Sequence, residues 1–245
     1  MRQRLLLSLL LLAVTCGACA IDTPVSVRVL SNDAKFVGDG VGGAAVRIIA
    51  IASGTTLAQG RVAGDTGDTD IIMRQARPRD AVLASPGAAR FDTVLDLDQP
   101  TRVRIEVIGP LGIAPARRTV MEERVLIPGA DYRSGNGLTL RLPGMAVQVV
   151  TLTPEADGIT VTARVTKMCG CPITADGLWP SQRYSVTALR YDAAGRLLGG
   201  TPLSFSGRPN LFGATVPAAN TARIVITAFD PATKDGGMAD APWPS

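Results

Sequence analysis

The widest chemical repertoire in this 245-residue chain is concentrated at Met168-Cys169-Gly170-Cys171-Pro172. Two cysteines separated by one glycine have three uses. The first is a loop-shaping disulfide. Residues two apart in an extended strand lie roughly 6.6–6.8 Å apart at Cα, the upper edge of what a disulfide accepts, and Gly170 can relax the backbone to shorten that span. Such a bond closes so short a loop that it removes little unfolded-state entropy, so it is a poor staple. The second use is thiol–disulfide exchange, the role of labile rather than structural bonds. The third is chelation of a soft metal: two thiolates with the adjoining Met168 thioether form a donor set that selects Cu(I). The loop-shaping disulfide leads these readings, with redox and metal roles for Cys169 and Cys171 as alternatives.

Much other chemistry is closed. The chain has no histidine, which removes Ser-His-Asp and Cys-His catalysis and the His-ligated zinc, copper and haem sites. Gly38-Asp39-Gly40-Val41-Gly42-Gly43 is glycine-rich, but no helix follows to give it the dipole of a phosphate loop, so it reads as a turn. Paired carboxylates could cleave glycosides, yet a substrate cleft is lined with aromatics and the chain has only two tryptophans, Trp179 and Trp243, with no Asp/Glu pair singled out by its context. Asp65, Asp68 and Asp70 crowd one loop and offer oxygens to Ca²⁺. Their spacing is not that of an EF-hand, and Asp is common in turns, so a solvated turn is preferred there. A catalytic role is therefore not expected.

The first residues set the compartment. Arg2 and Arg4, the apolar run 5–14 and the small residues Ala18-Cys19-Ala20 form a secretory signal whose h-region is too short to span a bilayer. Cleavage after Ala20 predicts a periplasmic or secreted protein; the alternative is an envelope protein lipid-anchored at Cys19. Losing Arg2 and Arg4 takes the net charge from +4 to +2. Near-balance, the lack of a basic block and only 4% aromatic residues argue against a nucleic-acid partner. No later run is long enough for a transmembrane segment. The expected partner is another exported or envelope protein.

Beyond the signal, short alternating runs recur between turn residues with no sustained helical period. Strands are expected at 25–30, 45–52, 56–62, 71–73, 91–97, 102–108, 119–126 and 138–142, with 74–88 as a long surface loop. Pro143-Gly144 marks a boundary. Further strands follow at 147–152, 159–165, 184–191, 196–205, 212–216 and 223–229, and 230–245 is expected to be a loop tail. Strands without helices must bury one face against another sheet. The expectation is all-β: two antiparallel β-sandwich domains, 21–143 and 144–245, after the signal peptide 1–20. Trp179 and Tyr184, on the loop after the cysteines, would line a binding rim.

Gly43-Ala44-Ala45-Val46-Arg47-Ile48-Ile49 followed by Gly54-Thr55-Thr56-Leu57-Ala58-Gln59-Gly60 resembles the opening of transthyretin-like domains, over residues 22–127. In strand spacing, residues 145–230 are similar to immunoglobulin-like sandwiches, without their Cys…Trp…Cys core. The resemblances imply β-sandwich domains of exported bacterial proteins and no particular activity, because both folds serve as binding, spacer and assembly modules.

Overall fold

A computed structural model of the chain describes residues 20–243. The secretory signal and the Cys19 anchor site lie outside that range. The protein is all-β, with four sheets from fifteen strands. The first seven are β1 (Ile21–Ser31), β2 (Ala44–Ala50), β3 (Thr56–Val62), β4 (Phe91–Leu97), β5 (Thr101–Gly109), β6 (Arg118–Leu126) and β7 (Leu138–Leu142). They form the sheets β4-β1-β7 and β3-β2-β5-β6. Next come β8 (Met145–Glu155), β9 (Gly158–Lys167), β10 (Ser185–Tyr191), β11 (Leu197–Pro202), β12 (Ser204–Phe205), β13 (Leu211–Val216), β14 (Arg223–Asp230) and β15 (Asp235–Pro242). These give β12-β13-β9-β8 and β11-β10-β14-β15. Pairing is antiparallel except for β1 with β7.

Alternation explains the layers. In β5, Val103, Ile105 and Val107 are fully buried while Arg102 and Ile108 face out. In β9, Ile159, Val161, Ala163 and Val165 enter a second core. A single residue, Leu203, carries one extended segment from β11 in one sheet to β12 in the other, tying the sheets at that corner. No sheet crosses Pro143-Gly144, yet the two cores interlock. Ala34 packs into the second cluster, and Ala146 and Met168 pack into the first.

β1 is buried on both faces, because the connection between β3 and β4 folds over its outer side. There Arg28 donates to the carbonyls of Ala88 and Ala89 at 2.5 and 3.1 Å, with its guanidinium 5.8 Å from the Phe36 ring. Burial, then the charge of Arg90, pulls the Arg28 pKa below its usual value. Within and beyond that connection three expectations change, at 71–73, 74–88 and 230–245. Residues 71–73 are not a strand but part of a π-helical turn, Asp70–Arg74, that drops Ile72 into the core. Much of 74–88 is exposed as expected, but Leu83 and Ala84 pack on the core and donate their N–H groups to Asn136 Oδ1.

The third change is at the end of the chain, where β15 replaces the expected loop. Its run of small residues gave no hydrophobic signal; the strand exists because Gly237 lets its backbone approach the Met145 carbonyl. A Cβ at that position would stand 2.1 Å from the oxygen.

The π-helical turn gives a direct test. Ile72→Ala removes a fully buried side chain and is expected to cost about 2–5 kcal/mol in chemical denaturation. Val82→Ala, at a half-exposed site in the same connection, should stay within about 0.5 kcal/mol of the parent.

Candidate functional site

The expected cluster at Cys169-Gly170-Cys171 is the outer part of a larger polar seam where the end of β1 meets the ends of β9, β14 and the start of β15. β9 does not run straight into the cysteines. The N–H of Gly170 donates to the Lys167 carbonyl at 2.8 Å, the N–H of Lys167 to the Cys171 carbonyl at 3.3 Å, and Thr166 bridges to Pro172. This tight reversal brings the two Cα atoms to 5.3 Å, and a disulfide joins Cys169 to Cys171. Gly170 sits at φ +76°, a left-handed conformation that glycine adopts without penalty, and a Cβ there would lie 2.6 Å from Val41 Cγ1.

The soft-donor set does not assemble. Cys169 and Cys171 are buried in the second core, whereas the Met168 side chain points the other way into the first. The strand period explains it: Met168 is the immediate neighbour of Cys169, so its side chain falls on the opposite face. Paired in a disulfide, the sulfurs are not the thiolates that Cu(I) requires.

The acidic loop abuts the same place, across Lys35. The Lys35 ammonium donates to the Gly67 carbonyl at 3.1 Å and to Thr69 Oγ1 at 3.0 Å, so a resident cation already meets two of the loop's oxygens. Each aspartate has its own structural task. Asp65 accepts the Gly67 N–H at 2.7 Å, Asp68 caps the π-helical turn through the N–H groups of Asp70 and Ile71, and Asp70 pairs with Arg74. Among the described residues, no three Cys, Asp or Glu side chains converge as a metal site. Lys35, Gly40, Thr66 and the cysteine loop line a shallow cleft of about 250 Å³.

Behind the disulfide lies a charge cluster that the sequence reading did not single out. Lys167 and Asp230 have no solvent exposure, and Lys167 Nζ stands 3.3 Å from Asp230 Oδ2. Arg183 clasps the same carboxylate with both arms of its fork, Nε to Oδ1 at 2.9 Å and Nη2 to Oδ2 at 2.7 Å. Nη2 also reaches Asp33 Oδ2, on the turn after β1, at 2.8 Å. Burial raises the Asp230 pKa, but the Arg183 bonds, the Ala232 N–H and the charge of Lys167 outweigh it and bring the value down to about 2. Desolvation lowers the pKa of Arg183, but its bonds to Asp230, the largest effect, and to Asp33 raise it above the usual value.

Trp179 and Tyr184 are not a surface rim; both are buried in the second core. The Trp179 indole N–H donates to the Asp33 carbonyl at 2.9 Å, so this side chain ties the loop after the cysteines to the turn after β1. Tyr184 lies beneath two cations, Lys167 Nζ at 5.9 Å and Arg183 at 5.6 Å from its ring centroid. Its buried hydroxyl has no partner, and burial raises its pKa. A second carboxylate completes the seam. Asp235 accepts from Asn32 Nδ2, from the Gly144 N–H and from Thr233 Oγ1, each at 3.0 Å.

Lys167 and Asp230 were open to detection. Lys167 continues the inward series Ile159, Val161, Ala163, Val165, and Asp230 continues Ile224, Ile226, Ala228. A charge on the buried phase of a strand needs a partner, and here each is the other's. Arg183 and Asp33 gave no such signal, because both sit in turns.

Comparison with protein-family models and with curated proteins finds no match for this chain. The arrangement itself therefore carries the reading. It binds the carboxylates of Asp33, Asp230 and Asp235, two cations and a disulfide into one junction.

Removing one partner of a buried pair leaves the other uncompensated, so Asp230→Asn is expected to cost about 3–5 kcal/mol. The pH dependence has a definite sign. A carboxylate at about 2 when folded and about 3.9 when unfolded stabilises the fold above pH 4. That contribution, about 2–3 kcal/mol, is lost as the pH falls toward 2. Urea unfolding between pH 2 and 6 should show the loss in the parent and a shallower dependence in Asp230→Asn.

Proposed function

We propose that this is an exported, non-catalytic binding or assembly module built from two β-sandwich units, 21–143 and 144–245, held together by the seam. The observation that carries the reading is the use made of the chemically capable residues. Lys167 and Arg183 pair with Asp230, Asp235 accepts from Asn32 and Gly144, Trp179 donates to the Asp33 carbonyl and the cysteines bond to each other, so these groups present little to a ligand. A site that spends its charges internally positions two bodies rather than turning over a substrate. The disulfide fits the same role: it fixes the reversal that aims Lys167 inward and lays the loop against Val41. The sequence signal at 1–20 supports export to the periplasm or beyond, with a lipid anchor at Cys19 as the alternative anchoring mode. The resemblance to transthyretin-like and immunoglobulin-like domains supports a partner among other exported or envelope proteins.

The reading is tested by reduction of the native protein. Cys169 and Cys171 are 3% and 4% exposed. Dithiothreitol should therefore release two thiols quickly in denaturant and far more slowly from the folded protein, as read by labelling and mass. Equally fast release from the folded state would replace this reading with thiol–disulfide exchange at the cysteine loop.

A further inference from the structure

β1 and β7 run parallel, with Arg28 beside Thr139 and Leu30 beside Arg141. These four side chains share the face of the sheet over which the connection between β3 and β4 folds. The cover leaves a gap. Leu30, Phe36, Leu83, Asn136, Thr139 and Arg141 line a pocket of about 180 Å³. Sites for drug-sized molecules hold about 300–1,000 Å³, so this one takes a smaller body.

One side of the pocket is apolar. Leu30 and Phe36 belong to the first core, and Leu83 packs against it. The polar groups are mostly committed to building the walls. Asn136 Oδ1 accepts the Leu83 N–H at 2.7 Å, its amide nitrogen donates to the Ala81 carbonyl at 2.8 Å, and the Thr139 hydroxyl donates to the Asn136 carbonyl at 2.6 Å. Arg141 is the donor left over. It is exposed, and among the described residues its guanidinium has neither an ion pair nor a hydrogen bond. Glu122, which lines a neighbouring groove with Arg141, is paired with Arg124.

The charge behind the pocket has the same sign. Arg28 is 5% exposed, lies 5.8 Å from the Phe36 ring and has no partner for its Nε. Asp92 is the carboxylate that answers it, but Asp92 also accepts from Ser26 and Arg90 and feels Arg133. Three guanidinium groups thus share one carboxylate. No acidic side chain lines the pocket. A positive surplus beside a half-buried, low-dielectric space favours an anion over a neutral or cationic guest.

We propose that this pocket binds a small aliphatic monocarboxylate, its carboxylate on the Arg141 guanidinium and its chain against Leu30, Phe36 and Leu83. A guanidinium fork matches a carboxylate with two parallel hydrogen bonds, and the apolar wall takes the chain out of water. An amine of the same length meets repulsion from Arg141 and Arg28. The proposal does not rest on the seam: ligand binding here and slow reduction of the buried disulfide are separate measurements, and either can fail alone.

The test is titration of the purified full protein with sodium hexanoate, followed by backbone amide chemical shifts in NMR. Saturable shifts at Leu83, Thr139 and Arg141 are expected. Hexanol keeps the chain without the charge and should bind about tenfold more weakly, and hexylamine should give no saturable shifts. Arg141→Gln should raise the hexanoate Kd by about tenfold. Matched thermal melts should show it folded, since Arg141 has no side-chain partner to lose. Leu83→Trp fills the pocket and should abolish binding. The proposal is overturned by a parent without saturable shifts, by hexanol or hexylamine binding as tightly as hexanoate, or by either variant binding hexanoate as tightly as the parent.

Discussion

The Asp230 carboxylate is the point on which the architecture turns. It is fully buried, and a lone anion there would be prohibitively costly. Lys167 and the Arg183 fork together supply the compensation, and Arg183 extends it to Asp33 on the far side of the seam. The bonds run through four separate stretches of chain, so none of those stretches can move without exposing or orphaning a charge. Apolar contacts hold each core, but they are tolerant of sliding. The ion cluster is directional, and with Trp179 and Asp235 it fixes how the two halves meet.

The Arg183 fork also sets the ionisation of its neighbours. A carboxylate held ionised by two cations has no proton to give at neutral pH and is a weak base. The buried Tyr184 phenol is pushed away from ionisation, and the sulfurs are tied to each other. The Asp230 carboxylate and the Tyr184 phenol are both driven away from the pH range in which general acid–base catalysis operates.

Much of the fold was legible because strand alternation is a strong signal. The runs at 56–62, 91–97 and 138–142 appear as strands with the expected ends, and those at 45–52, 102–108, 119–126 and 223–229 with ends shifted by one or two residues. What failed shares a cause. The segments 71–73 and 235–242 take their form from what they pack against: Ile72 from a core that needed filling, and β15 from a glycine that admits a carbonyl. The alternation also held the answer at Met168, which belongs to the opposite face from its cysteine neighbours. Sequence adjacency suggested a donor set that the backbone period forbids. Trp179 and Tyr184 were placed on the right loop, but a loop that crosses a seam is interior, so aromatic side chains there serve as ties.

The last hairpin has a consequence for the order of events. β14 and β15, the last strands in the described residues, supply the seam carboxylates Asp230 and Asp235. Synthesis delivers the N-terminal strands first. Until the last hairpin is in place, Lys167 has no counter-ion, Arg183 has only Asp33, and Asn32 has no acceptor. The junction therefore acts as a completion check: a truncated or stalled chain can build most of its sheets, but it cannot lock them together.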